Sequence, residues 1–253
     1  AAISIRGIQM NDVEKSFDPG VAVYLDGIYL ATSTAALLNT WDAERIEVLR
    51  GPQGTMFGRN TVGGLIHVIR SKPTGELGGK INFTAAEDEQ KDVKATINFP
   101  AILNGTLATK VSAIKLDGGA YFYNKTRESD EGDVDVTSYS ISALWNPTDD
   151  LEIQITYDDI DDQSSVRPVS CFTQPGELFG LFQNIAAECG NASNLGFHRT
   201  VFQNTKQTSS VEIEAVTINV EYDINANHKL VAVYGTREME ETSLQEFDAA
   251  SGE

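Results

Sequence analysis

ERIEVLRGPQGTMFGRNTVGGLIH, residues Glu44–His67, is the stretch on which the reading of this chain turns. Arg45–Leu49 alternates like a strand, and glycines then follow at 51, 54, 58, 63 and 64. Glycines at such density mark turns, positive φ angles or places where a side chain would clash. A phosphate-cradling loop is one reading of so many glycines. GPQGTMFG, however, has neither the Walker spacing with Lys-Ser/Thr nor a GxGxxG entering a helix.

The whole stretch resembles the plug-domain signature of the TonB-dependent outer-membrane receptors. That family carries an E(R)(I/V)EV(L/V)RGP run, then an aromatic-Gly-x-Asn and a Gly-Gly before an apolar strand. Here it stands as Glu44–Ile69, with Arg50-Gly51-Pro52, Phe57-Gly58-Arg59-Asn60 and Gly63-Gly64 in place. Upstream, Ile5-Arg6-Gly7 and VAVYLDGIY, Val21–Tyr29, resemble the preceding plug strands of the same family. Arg6, Glu47, Arg50, Gly51, Gly58, Asn60, Gly63 and Gly64 are therefore expected to be structural. The resemblance begins inside the plug, so the usual TonB box and first part of the plug are expected to lie outside this sequence, as is most of the barrel.

Composition excludes some classes. The chain has 253 residues, with 19 Lys plus Arg against 37 Asp plus Glu, a net charge of −18. Nucleic-acid partners need a basic footprint, which is missing. Hydrophobic residues make up 41 %, yet none of them form the ~18-residue apolar run of a membrane helix. Barrel strands escape that test because they alternate. The N-terminal residues Ala1–Arg6 lack a signal peptide's charged and apolar regions.

Residues 1–75 read as a small mixed unit, and 76–253 as the first strands of a barrel. In the first unit, Ile3-Ile5, Val21–Leu30, the signature strand and Leu65–Arg70 are strand-like, and Ser33–Leu38 is a helical turn. Asn11–Gly20 is a polar loop, and Lys72-Pro73 resembles the family's plug-to-barrel hinge. From Gly79 onward the period is two. Tyr139, Ile141, Ala143 and Trp145 oppose Ser138, Ser140 and Ser142; Leu151, Ile153, Ile155 and Tyr157 oppose Glu152, Gln154, Thr156 and Asp158. Strands are expected near 79–86, 91–99, 106–115, 136–145, 151–160, 209–222 and 229–240. A phase slip at Ala215-Val216 signals a bulge or a membrane boundary.

Short connections (Pro100–Gly105, Asn146–Asp150, Asp223–Asn227) alternate with long ones (Leu116–Asp135, Ile160–Thr208). That asymmetry suits an outer-membrane barrel with short periplasmic turns and long extracellular loops. Phe99, Trp145 and Tyr222 end strands beside the short turns, as an interfacial girdle would. The fold class expected is mostly β: a mixed α/β plug followed by antiparallel strands of a transmembrane β-barrel. Plugged transporters of this kind have about 22 strands, so these are a part of one.

Cys171 and Cys189 fall in the longest loop, and in an oxidising envelope a disulfide is the natural reading, with two reduced thiols as the alternative. Such a bond would stabilise by about 3 kcal/mol in the chain-entropy model. Acidic clusters at Asp149-Asp150, Asp158–Asp162 and Glu128–Asp133 lack EF-hand spacing, and solvated strand ends explain them better than calcium sites. His67, His198 and His228 are scattered, so no metal or catalytic constellation is expected and the chain reads as non-enzymatic. Glu47 and Arg50 are expected to share a face of the signature strand. The resemblance implies that such plug charges pair with each other or with the inner barrel wall.

In the family, substrate meets the outward apex of the plug. Carried onto this chain, that implies Tyr29–Ser33 and Asn39–Trp41, with Tyr29, Thr32, Ser33, Thr40 and Trp41 as candidate contacts; packing within the plug is the alternative for Tyr29 and Trp41. Tyr121-Phe122-Tyr123 forms an aromatic run in a long loop, either a ligand lid or a loop cluster. The function implied is TonB-dependent uptake across the bacterial outer membrane, most often of a ferric siderophore. Cobalamin, haem or an oligosaccharide are alternatives. TonB, reached through an N-terminal segment, and outer-membrane lipid and lipopolysaccharide are the implied partners, and no cofactor is. A passive porin-like channel would lack the plug signature. A soluble β-rich binding or adhesion module would bury the apolar side of the same strands.

Overall fold

The computed structural model describes residues 3–8, 19–31, 38–168 and 199–245. Two sheets account for most of them. A four-stranded mixed sheet has the order β2-β1-β4-β3, from β1 (Val21–Leu25), β2 (Ile28–Leu30), β3 (Ala43–Arg50) and β4 (Gly64–Arg70). β1 runs parallel to β4, and the other pairs are antiparallel. Every residue of β1 is buried, because both faces of this central strand are covered. Val23 and Leu25 pack with Leu30 and Val68 on one side. Ala22 and Tyr24 pack with Leu65 on the other.

The expected single strand Val21–Leu30 is instead a hairpin. Asp26 and Gly27 take φ of 47° and 86°, the left-handed pair that a two-residue turn between right-twisting strands needs. Asp-Gly within VYLDGIY carried that signal. Ile3-Ile5 forms only a bridge from Ile5 to Ile8. Within the signature, Gly54–Phe57 is a single helical turn, α1. Gly64 has φ 136°, and a Cβ there would sit 2.2 Å from the Leu49 carbonyl oxygen, so only glycine lets β3 and β4 pair at this point.

The second sheet is antiparallel and seven-stranded, in the order β14-β13-β11-β10-β7-β6-β5. Its strands are β5 (Gly78–Ala85), β6 (Lys91–Ile102), β7 (Leu107–Gly118), β10 (Val134–Thr148), β11 (Leu151–Asp162), β13 (Thr208–Asn225) and β14 (His228–Leu244). All seven expected strands are present and most are longer. β6 continues through Pro100 to Ile102, which narrows the expected Pro100–Gly105 turn. The long connections also hold structure: β8 (Phe122–Asn124), β9 (Ser129–Glu131) and β12 (Thr200–Val201) form a three-stranded sheet of their own.

Burial on the large sheet is partly inverted relative to a soluble protein, although Ile114, Val136, Leu144 and Ile160 are buried on the same face as the polar residues. Thr96, Ser112, Ser138, Ser142 and Thr156 are buried, while Ile81, Phe83, Ile141, Ile155 and Tyr234 are exposed, Ile81 at 76 %. One row on this face crosses all seven strands and is polar on six of them: Lys80, Thr96, Ser112, Ser140, Asp158, Ala215 and Arg237 are register partners. Hydroxyls satisfy one another along it, Thr96 with Ser112 at 2.9 Å and, one row over, Ser142 with Thr156 at 3.0 Å. A sandwich would bury the opposite set. An outward apolar face with a polar interior is what hydrocarbon outside and a filled lumen inside require.

The apolar face has limits that follow strand tilt. Phe99, Trp145 and Tyr222 each stand three residues before the last residue of their strand. The ladder through Phe99 meets β10 at Ala143, two residues from Trp145; that through Trp145 meets β13 at Val220, two from Tyr222. One residue of offset per strand keeps a ring level on tilted strands. At the other end, the slip at Ala215-Val216 carries no register shift, so no bulge is there. Outward Glu212 and Glu214 give way to Val216 and Ile218, while Val211 and Ile213 pack inward with Ile160. The slip is the edge of the apolar belt.

This inversion predicts the effect of an outward charge. Ile155→Arg should cost roughly 2–4 kcal/mol of stability when the intact protein is refolded into lipid vesicles. A change near zero, as on a water-facing surface, would contradict an outward lipid face.

Candidate functional site: the small sheet seated on the polar face of the large one

Arg70, the last residue of β4, stands where the small sheet meets the polar row. Its backbone N–H and Nε donate to the two carboxylate oxygens of Asp26, at 2.8 and 2.5 Å. Nη1 donates to Asp158 Oδ1 on β11 at 2.6 Å and to Ser140 Oγ on β10 at 3.4 Å. The three charged side chains are 4 %, 9 % and 2 % exposed. Burial works against the guanidinium charge, but Asp158 and Asp26 outweigh it and leave the Arg70 pKa raised. Asp158, grouped in the sequence with solvated acidic clusters, is thus a buried ion-pair partner. Glu131 departs from that reading too, buried and held by Arg127 at 2.7 Å and Asn124 at 2.8 Å.

A second buried pair lies beside the first. Lys110 on β7 meets Asp42 at 2.5 Å, and also reaches the carbonyl and hydroxyl of Ser71. Asp42 ends a 3₁₀ turn, Leu38–Asp42, that leads into β3. From there the chain stays fastened to the wall. Lys72 pairs with Glu152, Thr74 N–H donates to Asn98 at 3.1 Å, and Ala101 N–H to Gly75 O at 2.8 Å. At the far side, a Cβ on Gly235 of β14 would come within 2.8 Å of Ile28, so glycine lets the hairpin touch the wall.

The expected apex residues separate. Tyr29 accepts a hydrogen bond from Asn60 at 2.8 Å, its ring 5.6 Å from that of Tyr24. Trp41 packs at the seam, where Lys80 Nζ lies 4.5 Å from its ring centroid and donates to its carbonyl at 2.8 Å. Thr40 is half-buried in the same turn. Thr32 and Ser33, like Cys171 and Cys189, lie outside the described residues. Among the signature residues, Gly51 and Gly58 take φ of 93° and 79°, Asn60 takes 66°, and Arg6 takes 54° in the Ile5–Ile8 turn. Gly63 N–H bonds Gly20 O at 2.9 Å.

Glu47 and Arg50 do not share a face. They are three residues apart on a period-two strand, which puts them on opposite sides. Glu47 accepts instead from Arg45, two residues away, at 2.8 Å, and Arg50 is exposed on the other face. His67, opposite Glu47 on β4, has a role that isolated-histidine reasoning missed. Its Nε2 accepts the Gly27 N–H at 3.0 Å, and Nδ1 is 3.7 Å from Glu47. His67 thereby buttresses the turn whose Asp26 holds Arg70.

The long connections build a second feature. A cavity of about 450 Å³ is lined by Glu87, Asp88, Asp92, Tyr121, Phe122 and Arg167 among others. Arg199 ties it together, paired with Asp88 and stacked 4.1 Å from the Tyr121 ring. Its volume lies within the range of small-molecule sites, about 300–1,000 Å³. Among the described residues no group of three His, Cys, Asp or Glu is arranged to hold a metal ion.

Known proteins share this fold. Residues 1–65 match the family model described as TonB-dependent Receptor Plug Domain. The pesticin receptor of Yersinia pestis is 28 % identical over 151 residues, 59 % of this chain and 22 % of that receptor. The ferric enterobactin receptor of Pseudomonas aeruginosa is 36 % identical over 96 residues, 38 % of this chain and 12 % of that one. In fold, the ferric yersiniabactin uptake receptor from Yersinia pestis matches 94 % of this chain with a TM-score of 0.71 and 18 % identity. The present chain covers 35 % of that structure, so it spans about a third of such a receptor.

The His67 geometry predicts a pH dependence. Burial holds its pKa below the usual value, with Glu47 and Asp26 only partly opposing. A depressed histidine pKa gives stability that is present above the unfolded pKa of about 6.5 and lost as pH falls through the folded value. Thermal melts of the intact protein should therefore fall more steeply between pH 7 and 5 than those of His67→Gln, whose neutral carbonyl keeps an acceptor for Gly27. Parallel curves would contradict the role given to His67.

Proposed function

We propose that this chain, which belongs to the TonB-dependent receptors, is the plug-bearing part of a transporter that takes a ferric siderophore across the bacterial outer membrane. The observation that carries the reading is a mixed sheet bolted by buried charges to the polar face of a sheet whose other face is apolar. A passive pore has no use for such a stopper. The relatives named as receptors for ferric enterobactin and ferrioxamine B support iron chelates as the substrate class. Uptake of cobalamin, haem or an oligosaccharide is the alternative.

In this reading residues 1–75 belong to the plug and 76–253 to the barrel. The turns after Ile102, Thr148 and Asn225 face the periplasm, and the long connections face outward into a leaflet of lipopolysaccharide. Substrate enters past the Tyr121–Phe122 cavity and reaches the plug at Tyr29–Ser33. Trp41 is the less available of the apex candidates, since Lys80 and the wall already cover it. TonB, engaged by a segment outside this sequence, then pulls on the plug. The work required is set largely by the seam, a two-state contact biased first by ligand and then by force. No catalytic step is involved.

Equilibrium binding by the intact receptor in detergent tests this. One ferric siderophore should bind with submicromolar affinity, and Tyr29→Ala should weaken it at least about tenfold, the equivalent of ~1.4 kcal/mol. Binding of haem, cobalamin or a glycan, with silence from every iron chelate, would overturn the substrate assignment and leave the fold unaffected.

A further inference from the structure

The turn that presents Asp26 to Arg70 is fastened to β4 by two hydrogen bonds of different kinds. Asp26 N–H donates to the Val68 carbonyl at 3.0 Å, and Gly27 N–H donates to Nε2 of the His67 side chain, also at 3.0 Å. Asp26 itself holds a left-handed φ of 47°, a conformation that a residue with a Cβ keeps only where its surroundings hold it. With the turn in this position, both Asp26 carboxylate oxygens meet Arg70, and Ile28 lies against Gly235 of the large sheet. The backbone bond is indifferent to pH, whereas the bond to His67 exists only while Nε2 carries a lone pair.

An accepting Nε2 fixes the neutral tautomer, with its proton on Nδ1. Protonation would set Nε2–H against Gly27 N–H, donor against donor. The His67 side chain is 17 % exposed, and its ring stands among Tyr24 of β1 and Phe57 of α1, with centroids 6.2 and 6.4 Å away. The ionisable groups facing it are Glu47 and Arg45 on β3, Asp26 in the turn and Tyr24. Glu47, 3.7 Å from Nδ1, is the one towards which a charged ring is drawn. The two protonation states thus favour two partners, Gly27 when neutral and Glu47 when charged. We propose that His67 is an acid-sensitive positioning residue for the Arg70 clamp. Its neutral ring holds the Asp26–Gly27 turn in place, and its protonation frees the turn and loosens the joint between the sheets. Burial sets the release below the ordinary histidine range. The device lies in that joint and does not depend on which substrate the protein carries.

Hydrogen exchange on the intact receptor, read at residue level by mass spectrometry and corrected for the intrinsic pH dependence of exchange, tests the proposal. From about pH 7 to 5, protection of the Gly27 and Arg70 amides in the wild type should fall together by roughly tenfold or more, the effect of one pH unit of titration below the folded pKa. His67→Gln keeps an acceptor for Gly27 and does not titrate, so both amides should stay protected across the range. His67→Phe has no acceptor, and both amides should be weakly protected at every pH. The Ile66 amide should remain protected in all three proteins, which separates release of the turn from loss of the fold. Equal losses in the wild type and His67→Gln would assign the acid response to other groups and overturn the proposal. So would loss at Gly27 with Arg70 unmoved, or full protection in His67→Phe.

Discussion

A buried arginine must be paired, and the pairing of Arg70 determines how the two sheets can sit. Its partners come from 44 positions upstream in the hairpin turn and 88 positions downstream on the wall. Removing either carboxylate would leave charge without compensation in a place water hardly reaches, which is why such pairs resist single changes. A pair of this kind is weak evidence for added stability and better evidence for specific placement. Here it fixes the β1–β2 hairpin against the row that runs from Lys80 to Arg237, and Lys110 with Asp42 fixes the next position along.

The polar row explains the rest of the large sheet. Serine and threonine on the covered face lie against the charged edge of the small sheet. Other apolar residues take the outer face, where they form a belt bounded by Phe99, Trp145 and Tyr222 at one end and by the Glu214-to-Val216 change at the other. Gly235 and Gly64 serve the same geometry at close approaches of backbone and side chain. Among the described residues no hydrophobic cluster spans the two sheets. A joint made of ion pairs and hydroxyls fixes the register of the two sheets through specific partners.

Much of this was legible in residue pattern alone. Alternation in Ser138–Trp145 and Leu151–Asp158 located strands and both faces, because period two is a local property. Alternation could not say which face was inside, and the girdle aromatics and loop lengths had to decide. The signature Glu44–Ile69 identified the plug. Long-range pairing was not legible: Asp158 reads as one of several acids at a strand end, although its phase with Gln154 and Thr156 placed it on the serine side. The same applies to Trp41, whose aromatic surface suggested ligand contact while Lys80 and the wall claim it. Glu47 and Arg50, three residues apart on one strand, lie on opposite faces.

A double-mutant cycle on Arg70 and Asp158 in the intact receptor addresses the seam most directly, read as resistance of the plug to urea-induced proteolysis. Arg70→Met and Asp158→Leu should each destabilise the seated plug by roughly 3–5 kcal/mol, the usual cost of orphaning one member of a buried pair. Together they should cost well below the sum, because the second change removes a charge already stranded by the first. Strictly additive losses, or single losses below about 1 kcal/mol as for exposed pairs, would mean that the plug is held by something other than this clamp.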